Sequence, residues 1–396
     1  MSRHQQTIAV RAGIESDRQF GAVVPPIHLS SNYTFAEFGQ PRAHDYSRSG
    51  NPTRDLLGEA LAELEGGASA VVTASGMGAI STVLQLLKPG ERLLAPNDCY
   101  GGTFRLFEAW QRKGCFELEW VDFGDAAALR QALAKGAAMV WIETPSNPLL
   151  RIYDIAAIAR AARTVGARVV ADNTFLSPAL QQPLALGADL VVHSTTKYIN
   201  GHSDVVGGAV VAADPDLGAE IAWWANCIGV TGSPFDSWLT LRGLRTLAVR
   251  MRAHQEAAAA VVDRLCDHPA VARVHYPGLS THPGHTLARR QQRGFGAMIS
   301  FELNGGEAAV RDFLAALRLP SLAESLGGVE SLVAHPATMT HAAMSEADQR
   351  KAGIGSGLLR LSVGLEAPED LCADLVQALD RAGQSSWTAV PACREA

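Results

Sequence analysis

Six short, near-continuous apolar runs, most of them separated by stretches of helical period, constrain this chain more than any other feature. Ala68 to Thr73, Arg92-Leu-Leu-Ala95, Phe116 to Val121, Ala138-Met-Val-Trp-Ile142, Arg168-Val-Val-Ala171 and Leu190-Val-Val-His193 read as strands. Strands without polar–apolar alternation are buried on both faces, which fits a mostly parallel sheet covered by helices. Residues 61–245 are therefore expected to form an α/β domain. From Met251 the rhythm changes to a long run of strong helix formers, then strand-like Val271 to Tyr276, Ala297 to Phe301 and Leu358 to Val363. Residues 246–396 are expected to be a smaller α+β domain with helices near 306–317 and 369–382 and a loose tail from about 384.

The first 60 residues read differently. Pro25-Pro26, Gly39-Gln-Pro41 and Asn51-Pro52 break every regular pattern, so this segment is expected to be an arm that packs on something else, such as a second subunit. A net charge of −6 gives no basis for nucleic acid or an anionic membrane as partner. No apolar run approaches the roughly 20 residues of a bilayer span. The opening Met-Ser-Arg-His-Gln-Gln carries no signal-like apolar segment, and the six cysteines include no C-x-x-C pair. These features lead to the expectation of a cytoplasmic protein with free thiols and no metal. His282-Pro-Gly-His285 reads as a loop.

Open α/β sheets bind ligands at the carboxyl ends of their strands. After the first apolar run comes Thr73-Ala-Ser-Gly-Met-Gly78, whose small residues let main-chain N–H groups approach a phosphate at a helix start. Read alone, it is equally a plain strand–helix turn. Asp172 ends the Arg168–Ala171 run, where a carboxylate either meets a cationic partner or serves as a turn residue. Beyond the next run, Ser194-Thr-Thr-Lys197 sets one of only five lysines among small hydroxyl residues. Taken out of water, a lysine loses its proton and becomes an amine nucleophile; the alternative is a head that snorkels to the surface. A phosphate cradle, a strand-end acid and an isolated lysine on one sheet edge together match what pyridoxal 5′-phosphate requires.

Ser194-Thr-Thr-Lys-Tyr-Ile-Asn-Gly-His-Ser-Asp204 resembles the lysine segment of the Cys/Met-metabolism family of pyridoxal-phosphate enzymes. So do Tyr46-Ser-Arg-Ser-Gly-Asn-Pro-Thr-Arg54, Ser75-Gly-Met77, Asp98-Cys-Tyr-Gly-Gly102, Glu143-Thr-Pro-Ser-Asn-Pro148, Asp172-Asn-Thr-Phe175 and Ala323-Glu-Ser-Leu-Gly-Gly-Val-Glu-Ser331. The resemblance covers residues 5–382 and implies the aspartate-aminotransferase-like fold, fold type I. It implies that Lys197 carries the cofactor and then moves protons, that Asp172 holds the pyridine nitrogen, and that Tyr100 stacks on the ring and assists proton transfer. Gly76, Met77, Ser194 and Thr196 would hold the phosphate, and Tyr46 and Arg48 would reach a neighbouring subunit's phosphate. Arg360 would clamp the substrate α-carboxylate, with Asn147 and Ser325 orienting it.

Val24-Pro-Pro-Ile-His-Leu-Ser-Ser31, Trp223-Trp-Ala-Asn226 and Leu241-Arg-Gly-Leu-Arg-Thr246 point to the γ-replacing members. The reaction this implies is replacement of the acyl group of O-succinyl-L-homoserine by the sulfur of L-cysteine, giving L-cystathionine and succinate. Arg105 is then the candidate for the distal succinyl carboxylate, and Glu324 for the amino group of incoming cysteine. Gly102 stands where methionine γ-lyases tend to carry cysteine. Ser49 stands where close γ-replacing relatives carry a second arginine, so acetylated or phosphorylated homoserine stays open as substrate. Cleavage of cystathionine, sulfhydrylation of an O-acyl-homoserine and a non-catalytic scaffold are the alternatives. The resemblance also implies a homotetramer built from catalytic dimers.

Overall fold

In the computed structural model, residues 3–342 and 344–383 are described. The expected tail from about 384, with Cys393, lies outside them. Seven strands form the larger sheet: β1 (Ser69–Thr73), β2 (Arg92–Pro96), β3 (Glu117–Val121), β4 (Met139–Glu143), β5 (Arg168–Asp172), β6 (Leu190–His193) and β7 (Gly208–Ala212). Their order is β1-β7-β6-β5-β4-β2-β3, parallel except for β7, which runs antiparallel to both neighbours. β4, β6 and β7 are buried at every position, as strands covered on both faces must be. One face is filled by Phe107, Trp141 and the apolar side of helix Gly76–Leu84, and the other by helices Ala126–Ala134 and Ile155–Arg163. Trp141 and Phe107 meet edge to face at 5.4 Å, a contact of about 0.5–1.5 kcal/mol beyond simple burial. The α/β, fold type I reading holds.

The smaller sheet has the order β10-β11-β12-β9-β8, from β8 (Val271–His275), β9 (Met298–Leu303), β10 (Ser321–Leu322), β11 (Leu332–Ala334) and β12 (Leu358–Ser362). Helices Gly306–Ala316 and Pro368–Gly383 pack over it, near their expected positions. Helix Leu247–Asp267 begins four residues before the expected Met251. Its first turns lie in the core beneath the larger sheet and its later turns in the core of the smaller one, so it joins the two rigidly.

The expectation of an arm without regular structure fails at its start, where helix Gln5–Arg11 packs Ile8 and Ala9 into the core beneath the larger sheet; beyond it the arm buries little of itself. Phe20, Leu29, Phe35 and Phe38 are exposed, Phe38 completely. Helix Pro52–Glu65 then begins at Asn51, whose side chain accepts from the N–H groups of Thr53 and Arg54, and Pro52 occupies its first turn. Among the described residues no helix is long and apolar enough to cross a membrane, and five cysteines are free.

Candidate active site

Parallel register puts the chemistry on one edge. Glu143 and Asp172 are partners at the ends of β4 and β5, and Asp172 lies beside Val192 of β6, from which the chain turns into Ser194–Lys197. β1 ends at the same edge, opposite Gly208, and leads through Ser75 into helix Gly76–Leu84. Ser75 caps that helix by accepting from Gly78 N–H at 3.0 Å. Helix geometry leaves the N–H groups of Gly76 and Met77 without a carbonyl partner in the helix. Gly76 also passes close to Ser194: a Cβ there would lie 2.9 Å from the Ser194 Cβ. The Arg-bearing strand β12 of the smaller sheet closes the other side.

These elements enclose a cavity of about 380 Å³, within the range of small-molecule sites. Eleven of the sequence-predicted residues line it: Gly76, Met77, Tyr100, Asn147, Asp172, Ser194, Thr196, Lys197, Glu324, Ser325 and Arg360. Lys197 donates to Ser325 Oγ at 2.6 Å, and the Ser325 backbone has φ +85°, a conformation that L residues rarely adopt. Burial, and then the Arg360 charge, pull the Lys197 amine down to about 8. Arg360, 3% exposed, donates to Asn147 Oδ1 and to the Ser325 carbonyl, each at 3.0 Å. Burial lowers it to about 10, so it remains a cation at neutral pH.

Asp172 accepts the Thr174 N–H at 3.0 Å, and Thr174 Oγ1 in turn accepts the Ser194 N–H at 2.9 Å. Burial raises the Asp172 carboxyl, while its hydrogen bonds from Thr174 pull it back. Burial, and then neighbouring Asp172, push the Glu143 carboxyl well above its ordinary value, further than Asp172, which its bonds from Thr174 hold back. Tyr100 begins helix Gly101–Arg112, and its ring leans over Gly102, where a Cβ would overlap it. The donor set fits pyridoxal 5′-phosphate. Helix-start amides and small residues suit a phosphate, a strand-end carboxylate suits a pyridinium, and a partly neutral amine suits an aldehyde.

Three predicted residues lie elsewhere in this chain. Tyr46 and Arg48 sit on the exposed arm, Arg48 donating to the Asn226 carbonyl (2.7 Å) and to its Oδ1 (2.9 Å). Arg105 is exposed on its helix outside the cavity lining, although its charge reaches the Tyr100 phenol. Sequence reasoning missed Glu143, Thr174 and Thr340 in the lining. It also missed Arg250, a buried guanidinium that donates to the carbonyls of Tyr198 (2.8 Å), Ile199 (3.3 Å) and Gly243 (2.8 Å) and so pins the lysine loop from behind. A strand-end acid inside a Pro-rich motif was the available signal for Glu143; for Arg250 there was none beyond its place in a helix.

Comparison with known proteins agrees with this geometry. A family model described as Cys/Met metabolism PLP-dependent enzyme matches residues 6–380. Cystathionine gamma-synthase of Escherichia coli K12 is 60% identical over 376 residues, 95% of this chain and 97% of that protein. The structure of cystathionine gamma synthase from Xanthomonas oryzae pv. oryzae, in complex with cystathionine, superposes with a TM-score of 0.97 at 61% identity, covering 98% of this chain and 100% of that one. Cystathionine gamma-lyase from Lactobacillus plantarum, complexed with L-serine, gives a TM-score of 0.93 at 43% identity, with 96% and 99% covered. The chain belongs to the Cys/Met metabolism family of PLP-dependent enzymes.

Proposed function

We infer that the protein is a pyridoxal-phosphate-dependent transferase that replaces the acyl group of O-succinyl-L-homoserine by the sulfur of L-cysteine, yielding L-cystathionine and succinate. The observation that carries this reading is the identity of 60–61% to two gamma-synthases across nearly the whole chain, against 43% to a gamma-lyase of the same fold. When bound, the cofactor supplies an electron sink that acidifies the protons on the substrate's α- and β-carbons.

The side chains do the rest. The Lys197 amine, near pKa 8 and held by Ser325, would hold the cofactor at its aldehyde and would supply the base that moves protons between neighbouring carbons. Asp172 keeps the pyridine nitrogen protonated. Gly76, Met77, Ser194 and Thr196 would hold the phosphate, and Tyr100 would cover the ring. Arg360, already oriented by Asn147 and Ser325, receives the α-carboxylate. Glu324, exposed at the cavity edge, attracts the amino group of incoming cysteine, and Arg105 meets the distal succinyl carboxylate. Tyr46 and Arg48 complete the phosphate site of a neighbouring subunit, which accounts for an arm whose phenylalanines find no cover in their own chain. The assembly is a homotetramer of catalytic dimers, working in the cytoplasm with its thiols reduced.

Incubation with O-succinyl-L-homoserine, with and without L-cysteine, and product identification by mass tests this reading. Cystathionine and succinate in equal amounts support it. Efficient 2-oxobutyrate formation from cystathionine, with no cystathionine made, overturns it in favour of a lyase.

A further inference from the structure

Glu143 has no part in the chemistry above, yet it lines the cavity while only 4% exposed. Its Oε2 accepts the main-chain N–H of Tyr100 at 2.8 Å, and the main-chain N–H of Asn147 donates to the same carboxyl. These two contacts join two parts of the site at one carboxyl. Tyr100, whose ring would cover the cofactor, stands at the start of a helix that has no side-chain cap of its own and continues with two glycines. Asn147 carries the Oδ1 that fixes Arg360. Register with Asp172 places the carboxyl at the centre of the strand ends, with β4 and β5 as its support.

We propose that Glu143 is a positioning residue that sets the ring-covering Tyr100 and the Asn147–Arg360 carboxylate clamp from a single point. The role is that of a hydrogen-bond acceptor of fixed reach, and it rests on the functional reading of Tyr100 and Arg360 given above. Glutamine keeps its length and its acceptor oxygen, and burial with neighbouring Asp172 already pushes the carboxyl well above its ordinary value. Alanine removes the acceptor and leaves the N–H groups of Tyr100 and buried Asn147 without it; aspartate keeps a carboxyl but falls one methylene short.

The signature is a paired loss. In Glu143→Ala the dissociation constant for pyridoxal phosphate, read by absorbance titration of the cofactor-free protein, and the KM for O-succinyl-L-homoserine should both rise about tenfold or more. Glu143→Gln should restore both to within about threefold of wild type. Asn147→Ala should raise the KM alone and Tyr100→Ala should weaken the cofactor without a comparable rise in KM. If Glu143→Ala does not fold, Glu143→Asp takes its place and is expected to show the same paired loss. Equal impairment of the glutamine and alanine variants, a change in only one of the two constants, or an aspartate variant indistinguishable from wild type would overturn the proposal. A wild-type protein that does not bind pyridoxal phosphate would instead overturn the functional reading on which it rests.

Discussion

Replacing Arg360 by lysine and by alanine separates the geometry of the carboxylate clamp from its charge. The guanidinium is fixed before any substrate arrives, because Asn147 Oδ1 and the Ser325 carbonyl each take one of its nitrogens at 3.0 Å. Lysine retains a cation but not a planar fork, so it cannot satisfy both acceptors and also meet a carboxylate with two parallel bonds. One charge-assisted hydrogen bond contributes about 1.5–3 kcal/mol, which converts to a roughly 10- to 150-fold rise in KM for O-succinyl-L-homoserine in Arg360→Lys. In Arg360→Ala the carboxylate would enter a buried site with no cation there, a loss of about 2–5 kcal/mol or roughly 30- to several-thousand-fold. The same guanidinium helps to hold Lys197 near 8, so the alanine variant should also raise the Lys197 pKa. The assay is steady-state kinetics at saturating cysteine, together with the pH dependence of cofactor capture by the cofactor-free protein. A KM in Arg360→Ala within threefold of wild type, or a Lys197 pKa that does not rise in it, would refute the reasoning.

Four further outcomes follow from the same reasoning. Below about pH 8 Lys197 is charged and above it neutral, so cofactor capture should rise about tenfold per pH unit up to 8 and then level off; a flat profile from pH 6 to 9 contradicts this. Gly102→Ala should fold normally but displace the Tyr100 ring, lowering kcat by about a hundredfold, because only a movable side chain and Met77 Sδ (3.0 Å) stand in its way. Gly101→Ala should instead lower the melting temperature, since its Cβ would lie 2.5 Å from the Thr340 carbonyl oxygen. Lys197→Ala and Arg48→Ala chains, each inactive alone, should recover up to about one quarter of wild-type activity when co-assembled, if the arm serves the neighbouring site. No recovery in verified mixed dimers would place Arg48 in its own chain's contacts to Asn226 alone.

The sheet was legible where burial on both faces left an unbroken apolar run, and all six such runs became strands of the larger sheet. β7 escaped because Val205-Val-Gly207 runs into Gly208-Ala-Val-Val-Ala212 with no polar break, so nothing marks where pairing begins. β10 and β11, of two and three residues, have no period to read. Lys197 and Asp172 could be picked out because a buried charge at a strand end stands out from its neighbours. Glu143 and Arg250 act on main-chain groups that are distant in sequence: Tyr100 is 43 residues from Glu143, and Tyr198 is 52 from Arg250. Such partners exist only once the chain has folded. Arg105, assigned to the succinyl carboxylate from the substrate's chemistry, is exposed on its helix beside the cavity, where its charge reaches the Tyr100 phenol without lining the wall.

The central claim is that Lys197, alone among the five lysines, is the amine that holds the cofactor. Borohydride reduction of the loaded protein makes that bond permanent, and peptide mapping by mass spectrometry then locates it. The account predicts one pyridoxyl group per chain, on the peptide that contains Lys197, and none in Lys197→Ala. A label on Lys88, Lys113, Lys135 or Lys351, or no label on a protein that makes cystathionine, would contradict it.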